Sequence, residues 1–348
     1  MKHPDQIVKI FSPQRIILAV ILGLAVSMYM IFKDFNLAKY QEIHWSLNGL
    51  IYFILALVMM FIRDLAYIYR LQILTEGRIS WLHGFQVIML WEFSSALTPS
   101  VVGGSAAALY FVTKELKSAG KATAIVMITA MLDELFYILM VPILILSVNH
   151  QDLFVQGNFQ ITESLILPTN SIFWIGYGFI LTLTTIISSA IFFKPVFFKR
   201  LLIIIFSFPI LKRWRRSAVE AGNDIVTTSK EMRGKRLSFW LKAFGATFFS
   251  WTARFWVVNM LILAFTGGGD QLLIYARQLV MWVILLISPT PGGSGVAEFI
   301  LPKFIGDFMG NFGDEIALIW RLISYYAYLI IGAIVLPIWL RRIYTKHH

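Results

Sequence analysis

Apolar and polar positions alternate in long blocks rather than singly, so the chain reads as a series of apolar runs joined by short polar connections. Six runs, residues 16–32, 46–62, 122–148, 172–193, 237–265 and 316–340, approach the ~20 apolar residues with which a helix spans a bilayer. Two further apolar stretches, 79–112 and 272–305, are punctuated by proline and glycine. The first contains Thr98-Pro99-Ser100-Val101-Val102-Gly103-Gly104-Ser105, and the second contains Pro289-Thr290-Pro291-Gly292-Gly293-Ser294-Gly295-Val296-Ala297-Glu298. Both read as proline, a short spacer, then Gly-Gly-Ser. Proline removes a backbone donor and glycine tolerates unusual conformations, so each stretch predicts a broken helix. Backbone broken at membrane depth needs protein or a water-filled cavity around it, which is how transporters build substrate sites.

The charges between the runs set the topology. Residues 194–242 hold twelve Lys and Arg against Glu220, Asp224 and Glu231, which assigns this connection to the cytoplasm. The connection 149–170 has Asp152 and Glu163 and no Lys or Arg, which assigns it outside. Lys2, Lys9 and Arg15, and Arg341, Arg342 and Lys346, place both termini inside. The stretch 79–112 then has cytoplasmic flanks at both ends, and 272–305 has outward flanks at both ends. Each is expected to be a re-entrant hairpin, one opening from each face. The order span, hairpin, span occurs at 46–148 and again, inverted, at 237–340, the pattern of an inverted-topology repeat. The predicted fold is an all-α polytopic membrane protein of one domain, about six spans and two re-entrant hairpins. Its N-terminal half is 16–193 and its C-terminal half 237–340. The linker 194–236, with an apolar run beside Lys212-Arg213-Trp214-Arg215-Arg216, suits an interfacial helix touching anionic lipid headgroups.

Composition agrees with this class: 58% of residues are hydrophobic and 14% charged, and the mean hydropathy is +0.73. Without cysteine there is no disulfide, thiolate metal site or cysteine nucleophile. The polar start, 1–13, lacks a small-residue cleavage site, so 16–32 is read as an uncleaved first span. The formal net charge of +11 flanks the apolar runs, which fits positive-inside topology and not nucleic acid. The expected location is a bacterial cytoplasmic membrane.

Charges inside spans are costly and point to a cavity or a partner. Asp133 and Glu134 lie near the middle of the third run, Arg254 near the middle of the fifth, and Arg321 just inside the last. One reading is a polar cavity, with Asp133 and Glu134 facing a cationic headgroup and Arg254 or Arg321 facing phosphate, which the planar guanidinium fork matches. The other is a structural Glu134–Arg321 pair holding the halves together. Glu298 is expected to cap or line the second hairpin, with Glu92 as its weaker counterpart on the first. Tyr325 is the aromatic candidate for the cavity wall. Arg63-Asp64, Arg70 and Arg277 sit at run ends, where a solvated or snorkelling charge is the ordinary expectation. No HExxH, Walker-type loop or Gly-x-Ser-x-Gly elbow occurs, and no histidine lies deep in a span, so neither an enzyme nor a cofactor or metal is expected.

At Pro99…Gly103-Gly104, at Ser288 to Gly295 with Glu298, and at Arg321, Ser324-Tyr325-Tyr326 and Gly332, the chain resembles the transmembrane region of lysylphosphatidylglycerol synthases. The resemblance runs over about Arg15–Arg342. It implies lipid translocation between leaflets, of an aminoacylated phosphatidylglycerol or, in related proteins, a polyprenyl-phosphate or glycolipid. Two features depart from the family pattern. Asp133-Glu134 stands where an acid–arginine pair is expected, and the aminoacyl-transferase domain of the fused members is missing, so lysyl-lipid synthesis is not expected. Two alternatives stay open: a transporter of an ion or small solute, and a non-catalytic partner of a separate glycosyltransferase or lipid synthase.

Overall fold

A computed structural model describes residues 46–98, 100–155, 158–162, 165–209, 211–285 and 296–345. Among these the protein is helical apart from one short hairpin, Asn158–Thr162 against Leu165–Pro168, within the connection read as outward-facing. Five helices are long and apolar enough to cross a membrane among the described residues: Leu47–Leu74, Ala119–Ser147, Thr169–Phe193, Leu237–Thr266 and Gly310–Tyr344. They match five of the six expected spans. The remaining one, 16–32, lies outside the described residues, as do Pro99 and Pro291, Gly292, Gly293 and Ser294 of the two punctuated stretches.

Helix α1 (Leu47–Leu74) starts at Ser46, whose hydroxyl accepts from the Gly49 amide at 3.0 Å, and continues well past the expected end at residue 62. The extra turns carry Arg63, Asp64 and Arg70. The seam Ala56, Met60, Arg63, Tyr67, Arg70 and Leu74 repeats at three and four residues and is buried, so this helix places arginines where apolar residues usually sit. Helices α2 (Trp81–Leu97) and α3 (Ser100–Leu116) follow and pack on each other. Gly103, Gly104 and Ser105 lie inside α3, and the expected break at these residues is not there. Gly104 has a different purpose: a Cβ on it would run into Ser95 of α2, so the two helices cross with nothing between their backbones.

Helix α4 (Ala119–Ser147) carries Asp133 and Glu134 at mid-length, and α5 (Thr169–Ser188) ends in a π turn, Ser189–Phe193. The basic linker is itself helical, as α6 (Pro195–Ile205) and α7 (Arg215–Arg233). On α7, Ala218, Gly222, Ile225, Ser229 and Met232 form one buried stripe. Gly222 lets α7 press on α6, since a Cβ there would lie 2.8 Å from the Lys199 side chain. The chain then returns through α8 (Leu237–Thr266), which stops at Gly267 in the left-handed region, φ +72°. Helices α9 (Gln271–Leu285) and α10 (Val296–Ile305) flank the second punctuated stretch and pack together. Helix α11 (Gly313–Arg321) and α12 (Ala327–Thr345) are joined by a π turn, Leu322–Tyr326, to form the last span.

The centre of the fold is the antiparallel pair α1 and α8, in contact along their length. At one end a Cβ on Gly49 would sit 2.9 Å from the Ala264 carbonyl oxygen. Further along, Ser250 Oγ donates to the Arg63 carbonyl at 3.1 Å and Arg70 Nη1 donates to Thr247 Oγ1 at 3.0 Å. The last span packs on α2, where a Cβ on Gly332 would enter the Phe93 ring and where Tyr325 Oη donates to the Ala96 carbonyl at 2.9 Å. At the face assigned to the cytoplasm Glu115 of α3 accepts from Arg342 and from Trp339 Nε1. At the other face Arg277 is buried, not snorkelling: it donates to the Asp152 and Phe304 carbonyls at 2.8 and 3.1 Å and pairs with Asp307 at 3.2 Å.

Candidate functional site

A row of charged and aromatic side chains runs through the middle of the α1–α8 pair. It begins on α1 at Arg63, fully buried, whose Nη2 lies 2.5 Å from a Glu92 carboxylate oxygen on α2. Arg63 Nη1 donates to Asp64 and to Tyr328 Oη, both at 2.8 Å, and Tyr328 Oη donates to Asp64 at 2.7 Å. One helical turn on, the Tyr67 ring lies between two guanidiniums, 4.5 Å from Arg63 and 4.7 Å from Arg70. Arg70 then grips Asp133 of α4 with both nitrogens, at 2.5 and 3.3 Å. The planar guanidinium fork and the carboxylate match here, and the middle of α4 is pinned to the last turns of α1. Arg63, Arg70 and Glu92 correct the sequence-based reading, in which they are solvated run-end charges or a minor hairpin acid. Arg63 and Arg70 are buried because α1 continues as a helix beyond residue 62, and Glu92, partly buried on α2, is drawn in as the partner of Arg63.

Asp133 has a second donor. Trp251 Nε1 of α8 reaches its Oδ1 at 2.8 Å, and the indole is the hub of the next shell of rings. Tyr137 meets it edge-on at 5.1 Å between centroids, and Phe136, Phe255 and Trp282 lie within 6.1 Å. Arg254, one turn along α8, closes the row. Its guanidinium carbon is 4.6 Å from the Trp282 ring centroid and 5.4 Å from that of Trp251. Among the described residues no carboxylate lies within ion-pair distance of it, although it is half-buried in the middle of a span. Beside it, the buried Tyr137 hydroxyl has no hydrogen-bond partner among the described residues. A guanidinium on two indoles is held by its face, which leaves its edge donors to a ligand.

The remaining expected site residues fall into two places. Glu134 turns away from Asp133 toward α5 and accepts from Thr184 Oγ1 at 2.7 Å. The expected alternative, a Glu134–Arg321 pair, is not what Glu134 makes. Arg321 is buried on the last span and lies over the Tyr325 ring at 4.1 Å, with Tyr325 in turn tied to the end of α2. Asp133, Glu134 and Arg254 are thus grouped on α4 and α8, whereas Arg321 lies on the last span over Tyr325, which reaches α2. Glu298 lies in α10, and its side chain is outside the described residues. No group of three or more His, Asp or Glu able to hold a metal occurs among the described residues.

The sequence matches the family described as lysylphosphatidylglycerol synthase TM region over residues 16–332. The chain belongs to this family. Among curated proteins it is similar to a UPF0104 membrane protein of Archaeoglobus fulgidus, 23% identical over 268 residues, which cover 74% of this chain and 76% of the relative. No solved structure matches it. In this member of the lysylphosphatidylglycerol synthase TM-region family, the match covers the whole charged row, from Arg63 to Tyr328, and both punctuated stretches. The sequence did carry a signal for the residues first passed over. Arg63, Tyr67 and Arg70 stand at i, i+4 and i+7, one face of a continuing helix, and only the assumption that a span ends at its first charge concealed them.

Proposed function

We propose that this protein moves a phospholipid between leaflets, with the headgroup phosphate held by Arg254. The observation that carries the reading is the guanidinium of Arg254 laid on Trp251 and Trp282, half-buried and with no carboxylate counter-charge among the described residues. A cation at mid-span needs an anion, and a phosphodiester supplies one in the geometry its fork accepts. The Tyr137 hydroxyl, packed on the same indole, is a further donor for that phosphate. Glu134, which among the described residues has only a neutral hydroxyl as its hydrogen-bond partner, is the group left for the amine of an aminoacyl or zwitterionic headgroup. Asp133 is excluded from that role, since Arg70 and Trp251 already engage it.

In this reading the two punctuated stretches are re-entrant hairpins of an inverted repeat, and their alternate opening passes the headgroup across while the acyl chains stay in the bilayer. The ion pairs at the two faces, Glu115 with Arg342 and Arg277 with Asp307, are then the contacts that part in turn. Substrates of the required chemistry are aminoacylated phosphatidylglycerol and polyprenyl-phosphate or glycolipid intermediates. The protein acts without a cofactor and not as an enzyme, beside whatever lipid synthase or glycosyltransferase makes its substrate.

The test is mass spectrometry of lipids retained by gently purified protein, wild type against Arg254→Gln. Enrichment of one phosphate-bearing headgroup class, reduced in the variant, is the expected result. A retained profile equal to the bulk membrane in both proteins would sink the lipid site and favour a solute transporter.

A further inference from the structure

A cationic cavity that does not include Arg254 lies on the basic linker. It has a volume of about 260 Å³ and sits where the third described span ends, between the start of α6 and the last turns of α7. Lys194, Lys230 and Arg233 line it together with the apolar Phe193, Val196 and Val226, and no acidic residue lines it among the described residues. None of the three cations forms an ion pair among the described residues; Glu231 of the same linker pairs with Lys121, and Glu76, in the turn after α1, pairs with Lys235. The cavity is built and not incidental. Pro195 starts α6 directly at the close of the π turn, the buried stripe of α7 fixes that helix on α6, and Ser229 Oγ donates to the Ile191 carbonyl across the junction.

Beside the cavity the end of the π turn and α6 present apolar side chains that no described residue covers: Phe193 is 74% exposed, Phe197 56% and Ile204 61%. A surface helix of this composition, at the end of a span and followed by a basic cluster with Trp214, lies in the plane of the membrane interface. Three exposed cations without an ion-pair partner among the described residues, grouped next to apolar surface at headgroup depth, match one kind of occupant. Basic pockets at the cytoplasmic ends of spans bind the headgroups of anionic lipids.

We infer that this cavity is a binding site for an anionic diacyl phospholipid of the cytoplasmic leaflet, its phosphate among Lys194, Lys230 and Arg233 and its chains along Phe193, Phe197 and Ile204. The site is separate from the translocation reading: it holds a lipid in place, and it stands whether or not Arg254 binds one. It also accounts for an apolar helix lying outside the bundle, since the lipid completes the contact between α6 and the span it follows.

The experiment places the full-length protein in phosphatidylcholine nanodiscs and titrates phosphatidylglycerol, reading the bound lipid by native mass spectrometry. The Lys194→Gln, Lys230→Gln, Arg233→Gln variant is compared with Arg213→Gln, Arg215→Gln, Arg216→Gln, which removes the same charge outside the cavity. A loss of ~tenfold or more in phosphatidylglycerol affinity is expected for the first and little change for the second. Equal losses in both would show diffuse surface attraction and overturn the site, as would unaltered binding in the first. Displacement of the lipid by millimolar inorganic phosphate would overturn the lipid assignment, because a free anion would then suffice. If the triple variant does not fold, Lys230→Gln alone, at an exposed position, is expected to give a smaller loss in the same direction, and no loss would count against the site. The Arg254→Gln variant is expected to bind at this cavity as the wild type does, which keeps failure of the two proposals distinguishable.

Discussion

Arg70 and Asp133 form a two-pronged ion pair, 2.5 and 3.3 Å long, between the last turns of helix α1 and the middle of helix α4. Both residues are bound further, Arg70 to Thr247 and Asp133 to Trp251, so three helices meet at one carboxylate. This arrangement explains why a double acid at mid-span is tolerated, and why only Glu134 of the two is left facing elsewhere.

Breaking that pair from one side leaves a charge without its partner in a low-dielectric setting. Asp133→Asn or Arg70→Met is therefore expected to lower stability by about 3 kcal/mol, while the double variant loses less than the sum. Denaturant or thermal unfolding of detergent-purified protein measures this, and strict additivity would contradict a direct pair.

Close backbone approach at Gly104 predicts a steric loss with a specific remedy. Gly104→Ala is expected to destabilise by about 1–3 kcal/mol, because its methyl group meets Ser95. Adding Ser95→Gly removes the atoms it meets and is expected to restore most of the loss in the same unfolding measurement. If the second change adds to the damage, α2 and α3 do not cross as described.

The turn after α1 offers a pH prediction outside the membrane. Lys235 Nζ lies 2.7 Å from Glu76 and, as hydrogen-bond donor, holds its carboxyl below the ordinary value of 4.5. A depressed folded pKa adds stability above the unfolded value and loses it as pH falls through the folded one. The contact is largely exposed, so its worth is about 1 kcal/mol or less. Wild type is thus expected to melt slightly above Glu76→Gln at neutral pH, and the two melting curves are expected to converge below the ordinary carboxylate range. A gap that persists or widens in acid would contradict the pairing.

Much of the architecture was legible in the pattern of apolar runs, because a span needs a minimum length of apolar helix whatever it packs against. Five of the expected spans stand as helices in the described residues. Partners were not legible. Asp133 shares a carboxylate with Arg70, 63 residues away, and Trp251, 118 residues away, and no local spacing encodes such a meeting. Gly103 and Gly104 misled for a related reason: glycine serves both broken backbone and close helix crossing, and only the position of Ser95 decides between them. Arg254 was recognisable as a mid-span charge, but the two tryptophans that hold its face came together only on folding.

The most direct measurement of the central claim is the initial rate of leaflet exchange in vesicles holding the purified protein, with lipids of anionic and aminoacylated headgroups. The account predicts exchange above protein-free vesicles, reduced ~tenfold or more by Arg254→Gln and only partly by Arg254→Lys, with unfolding stability unchanged. Equal exchange by wild type and Arg254→Gln would contradict it.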